Sequence, residues 1–178
     1  ELFNNRGNAL QHLQRPEEAI ASYQRAIALQ PEYVEALSNY GYALLTLKRY
    51  DEALKALDRA IALDPAFHHA LFNRGNALLG LKRYADALVS YDQAIALSPQ
   101  FQEALYNRGN ALKELDRYGD ALESFERALA VNPHDHEAHN SRGCVLQGLQ
   151  RYEEALQSFD RALALKPDYV EALYNRGN

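Results

Sequence analysis

EALYNRGN, read from Glu103 to Asn110, returns unchanged from Glu171 to Asn178. Working outward from this octamer, glycine recurs at Gly7, Gly41, Gly75, Gly109, Gly143 and Gly177, each 34 residues after the last. Proline keeps the same period at Pro31, Pro65, Pro99, Pro133 and Pro167. A fixed period of this length marks stacked supersecondary units. The 178 residues hold five periods of 34 and eight residues more.

Within one period the pattern is helical twice over. Leu37, Gly41, Leu44 and Leu47 fall at spacings of four and three, and Ala53, Leu57, Ala60 and Ile61 do much the same. Each run presents one apolar stripe at the 3.6-residue period of a helix. The polar pair Lys48-Arg49 separates the two runs, and Asp64-Pro65 closes the second, because proline cannot continue a helix. Pro16 stands where Tyr50, Tyr84, Tyr118 and Tyr152 stand in later periods, in the first helical turn where proline is tolerated. Small residues hold two further sites in each complete period: Ala19, Ala53, Ala87, Ala121 and Ala155, then Ala26, Ala60, Ala94, Ala128 and Ala162. Gly41 is expected to face Ala53 and Ala60. The larger Tyr23, Leu57, Tyr91, Phe125 and Phe159 are expected to fill the gap between neighbouring pairs. One pair cannot bury its own apolar face, so stacking is obligatory.

The periodic glycines, alanines and prolines make the chain resemble the tetratricopeptide repeat family. Where the family carries tryptophan, this chain has Phe3, Leu37, Leu71, Leu105, His139 and Leu173. Where it usually carries leucine before the glycine, this chain has arginine, or Tyr40 in the second unit. The resemblance implies an all-α, right-handed α-solenoid of helix-turn-helix repeats, a single array over 1–178. The repeats are expected at 1–33, 34–67, 68–101, 102–135 and 136–169, with a partial first helix at 170–178.

Composition excludes several function classes. The formal net charge of -5 argues against a nucleic-acid partner, since neutralising phosphates needs clustered Lys and Arg. No apolar run reaches the roughly 20 residues that span a bilayer, so no membrane role is expected. The lone Cys144 forms no internal disulfide and fits a cytoplasmic setting. No phosphate loop, nucleophile elbow or paired-histidine zinc motif is present, so no catalytic residue and no cofactor is expected. His134, Asp135, His136, Glu137 and His139 cluster, but they read as a polar turn and a helix start, and no metal is assigned to them. Cys144 reads as a small filler.

In the family, the inner face of the first helices lines a concave groove that receives an extended peptide or a partner helix. The resemblance carries that role to Asn5, Asn39, Asn73 and Asn107, to Asn8, Tyr42, Asn76 and Asn110, and to Phe72 and Tyr106. Asparagine is a poor helix former, so its recurrence in mid-helix needs a reason. A carboxamide both donates and accepts, and so pairs with a peptide backbone whatever its side chains; equally, it can tie neighbouring helices together. No lysine stands at the positions of Phe72 and Tyr106 in any repeat, which disfavours a clamp for chaperone carboxylate tails. The asparagine ladder, interrupted by Ser141, is similar to the arm of protein O-linked N-acetylglucosamine transferases and related bacterial proteins.

The expected function is a protein- or peptide-binding scaffold, not an enzyme. The alternatives are a non-catalytic substrate-recruiting arm of a larger enzyme such as a glycosyltransferase, and a self-assembly module. Both ends lack a polar cap, which predicts a fragment of a longer array with end-to-end self-association. Finally, Arg74, Arg108 and Arg142 are expected to pair with Asp92, Glu126 and Asp160, each 18 residues later in the same repeat.

Overall fold

The structure is a computed structural model describing residues 1–177, and all eleven elements in it are α-helices. First helices are α1 (Leu2–His12), α3 (Val34–Thr46), α5 (His68–Gly80), α7 (Gln102–Glu114), α9 (His136–Gly148) and α11 (Val170–Gly177). Second helices are α2 (Pro16–Leu29), α4 (Tyr50–Leu63), α6 (Tyr84–Leu97), α8 (Tyr118–Val131) and α10 (Tyr152–Leu165). Asn178 lies outside the described residues.

The polar break between first and second helix is a left-handed turn. Gln14, Lys48, Lys82, Asp116 and Gln150 take φ of 55, 57, 59, 56 and 59°. At the first of these, Arg15 N–H donates to Leu10 C=O and Gln14 N–H to Gln11 C=O, both at 2.9 Å. This pair of bonds is the Schellman closure, which satisfies carbonyls that the helix end leaves over. After it, an arginine precedes each of several second helices and pairs with the acid three residues on, as Arg49 does with Glu52 at 2.7 Å.

Two compact units emerge, one of Glu1–Leu97 and one starting at Ser98. In the first, α2 packs on α3 and α4 on α5, so that Tyr23, Leu37, Leu44, Leu57 and Ala60 share one core. In the second, α8 packs on α9 and α10 on α11, around Leu105, Phe125, Leu146 and Phe159. Burying each such side chain contributes about 1.5–3 kcal/mol.

Gly7, Gly41, Gly75, Gly109 and Gly143 lie nearest the large residue of their own pair, where the sequence suggested its alanines. A Cβ on Gly41 would fall 2.6 Å from Leu57 Cγ, and one on Gly109 2.7 Å from the Phe125 ring. The bulky residue therefore seats in the notch of its own partner helix.

The arginine pairing also differs from expectation. Arg74 does not reach forward to Asp92. Its Nη1 donates to Ser90 Oγ at 2.7 Å, and its Nε donates to Asp58 at 2.7 Å, in the preceding pair. Arg142 repeats this with Ser158 at 2.7 Å and Glu126 at 3.1 Å, and Arg176 meets Asp160 at 2.5 Å. Arg108 and Arg6 each donate to a serine, Ser124 and Ser22, at 2.5 Å. The guanidinium fork thus stitches its own pair through the hydroxyl at Arg6, Arg74, Arg108 and Arg142. At Arg74 and Arg142 it also holds the previous pair through a carboxylate, and Arg176 holds its previous pair through Asp160.

Candidate functional site

A cleft of about 620 Å³ opens in the first unit. Helix α1 supplies Asn8, Gln11 and His12 to its lining, α2 supplies Pro16 and Tyr23, and α3 supplies Asn39, Tyr42 and Thr46. Helical periodicity explains the set: Gln11 and His12 lie one turn beyond Asn8, and Thr46 one turn beyond Tyr42.

The amides in this cleft are organised by the fold. Asn39 Nδ2 donates to Asn4 Oδ1 and to Asn8 Oδ1, both at 3.1 Å. The Tyr23 hydroxyl donates to the same Asn8 oxygen at 2.8 Å. Burial, aided by the nearby Tyr42 hydroxyl, pushes Tyr23 up to about 12. Tyr42 itself is 49% exposed on the cleft wall.

The other sequence-designated residues take related places. In the first unit, Asn76 Oδ1 accepts from the Tyr91 hydroxyl at 2.8 Å, and the Phe72 ring lies 6.2 Å from Tyr91. Asn73 is buried and Asn5 is exposed. In the second unit, Tyr106 packs 5.7 Å from Phe125 and its hydroxyl lies 3.4 Å from Ser141 Oγ. Asn107 and Asn110 are half-buried there. Asn175 copies Asn39, donating to Asn140 Oδ1 at 3.1 Å and to Cys144 Sγ at 3.3 Å. Asn39 and Asn175 therefore do structural duty, each linking its first helix to the preceding one in its own unit. Of the designated residues, Asn8, Asn39 and Tyr42 line the cleft. Gln11, His12 and Thr46 were not designated, although their spacing from Asn8 and Tyr42 places them on the same helical faces.

The histidine cluster disperses. His139 Nε2 lies 3.0 Å from Pro133 C=O, and burial is the main cause lowering its pKa. His136 packs edge-on against Tyr169 at 4.9 Å, and His134 is exposed. Among the described residues, no three His, Cys, Asp or Glu side chains converge as metal ligands. Burial pushes the Cys144 thiol up, which disfavours the reactive thiolate. Among the described residues, no helix is long and apolar enough to cross a membrane.

The family model described as "Tetratricopeptide repeat" matches residues 4–66, 49–101, 106–170 and 140–178. The chain belongs to the tetratricopeptide repeat family. Solved tetratricopeptide folds resemble it along most of its length. MamA (residues 41 to the end) from Desulfovibrio magneticus RS-1 is 23% identical with a TM-score of 0.84, covering 95% of this chain and 96% of its own. YrrB, a TPR protein with an unusual peptide-binding site, is 23% identical with a TM-score of 0.82, covering 99% of this chain and 91% of its own. TTC0263, a thermophilic TPR protein of Thermus thermophilus, is 22% identical with a TM-score of 0.77, covering 98% of this chain and 95% of its own. At this identity the likeness is one of fold. No curated protein matches the chain.

Proposed function

We propose that the chain is a non-catalytic scaffold that holds an extended peptide of a partner protein in the cleft between α1, α2 and α3. The observation that carries this reading is the cleft lining itself: amides, hydroxyls and an exposed aromatic ring gathered in one concavity of about 620 Å³. Sites of this kind orient a ligand through a few fixed polar groups. Asn39 commits its amide donors to Asn4 and Asn8. Its carbonyl oxygen is left to accept a peptide N–H, held in place by those same donor bonds. Gln11 and Thr46 add groups that both donate and accept. Tyr42 offers a ring face to an apolar side chain, the kind of residue that dominates many interfaces. YrrB, a similarly folded TPR protein with an unusual peptide-binding site, supports peptide binding as a use of this fold.

Recognition of this type reads mainly the partner's backbone. It predicts modest affinity and broad sequence tolerance, because each net hydrogen bond contributes about 0.5–1.5 kcal/mol. Panning a random peptide library on the chain tests it. Selected peptides should bind with affinity that Tyr42→Ala weakens about tenfold, while the helical circular dichroism stays unchanged. Selected peptides indifferent to Tyr42→Ala would count against the cleft.

A further inference from the structure

A second cleft, of about 430 Å³, lies in the same unit on another face of α2 and α3 and reaches α4. It shares no lining residue with the first: α3 contributes Leu37 and Tyr40 here, and Asn39, Tyr42 and Thr46 there. Its origin is a paired departure from the repeat. Elsewhere an arginine reaches a serine 16 residues on, as Arg6 does Ser22 and Arg74 does Ser90. In the second repeat both members change together, to Tyr40 and Ala56. The preceding acid is also replaced, by Gln24, whose Nε2 donates to the Tyr40 hydroxyl at 3.2 Å. Losing the guanidinium and the hydroxyl leaves an apolar hollow walled by Ile27, Leu37, Ala56 and the Tyr40 ring.

The charge around this hollow is positive. Lys55 and Arg59 stand on its rim. Arg59 Nη2 donates to the neutral carbonyl of Pro31 at 3.1 Å, which leaves its charge uncompensated by that bond. The carboxylate in this lining, Glu52, is gripped by Arg49 at 2.7 Å; that guanidinium first, and Lys55 more weakly, hold its carboxyl below the usual range, so the two lining cations outnumber it. On a chain of net charge -5, a cationic rim over an apolar slot is a local inversion of sign. Oppositely charged partners are steered to such a spot, and wrong ones are repelled.

We infer that the cleft between Tyr40 and Ala56 docks an acidic peptide segment that inserts one aromatic side chain. The ring packs against Tyr40 and Ile27, and flanking carboxylates meet Lys55 and Arg59. Tyr40 and Ala56 make the site specific to the second repeat, so the scaffold would carry one such contact beside its amide-lined cleft.

The test uses a short capped peptide with a central phenylalanine flanked by glutamates, and its lysine-flanked counterpart, each titrated into the isotope-labelled full chain. The acidic peptide should shift the amide signals of Tyr40, Lys55 and Ala56, and the lysine-flanked peptide should not. The double variant Tyr40→Arg/Ala56→Ser restores the arrangement of the other repeats and should weaken binding about tenfold. Lys55→Glu, an exposed change that leaves the hollow intact, should weaken it too and serves if the double variant does not fold. Equal binding of both peptides, binding unaffected by the variants, no shifts at all, or shifts only at Asn8, Asn39 and Tyr42 would overturn the inference. Because the two clefts share no lining residue, its failure leaves the amide-lined site untouched.

Discussion

The Arg74 guanidinium lies 2.7 Å from the carboxylate of Asp58, one helical pair earlier in the chain, and the same side chain reaches Ser90 within its own pair. A double-mutant cycle should therefore find coupling between Arg74 and Asp58. With the side chains 30% and 56% exposed, solvent screening limits it to about 0.5 kcal/mol, falling with added salt. The cycle of Arg74 with Asp92 should show none. The reverse ranking would restore the pairing within one repeat.

Lys48 and Lys82 hold φ of 57 and 59°, a left-handed conformation that glycine adopts without a Cβ penalty. Lys48→Gly and Lys82→Gly should each stabilise the fold by about 0.5–1 kcal/mol, read from denaturant midpoints at constant slope. The gain should be nearly additive, since the turns belong to different repeats.

Gly109 faces Phe125 so closely that a methyl group has no room beside the ring. Gly109→Ala should destabilise by about 1–3 kcal/mol despite alanine's better helix propensity. A stabilised variant would show that the glycine is a passenger and not a notch.

Tyr23 supplies a prediction for alkaline pH. Its folded pKa is raised to about 12, above the ordinary value of about 10. The stability it contributes is complete below the unfolded value and is lost as pH rises through the folded one. Tyr23→Phe should cost about 0.5–1.5 kcal/mol near neutrality, through the lost bond to Asn8. It should also flatten the loss of stability between about pH 10 and 12. Unfolding curves of both proteins across that window decide it, and identical alkaline slopes would contradict the assignment.

Helix positions were legible because glycine, alanine and proline each mark a fixed point of the 34-residue period. Partners between helices were harder to read, for a reason intrinsic to repeats. An acid 18 residues ahead of Arg74 and one 16 residues behind it occupy the same place in consecutive units, so spacing cannot choose between Asp92 and Asp58. The ladder shows the same ambiguity: Asn39 reads equally well as a groove residue or as a tie, and the structure gives its donor bonds to Asn4 and Asn8. The second cleft was visible in sequence only as an isolated Tyr40. Its meaning depended on knowing that the other arginines at this position bond a serine 16 residues on, where this repeat has Ala56.

The first cleft, as proposed, reads a partner's backbone and not its side chains. Scanning a selected peptide by backbone N-methylation and, separately, by alanine separates the two. Methylating one or two N–H groups should weaken binding about five- to tenfold each. Alanine replacement should matter only at the one side chain beside Tyr42. A peptide that tolerates N-methylation throughout, yet loses binding at many alanine positions, would contradict backbone recognition.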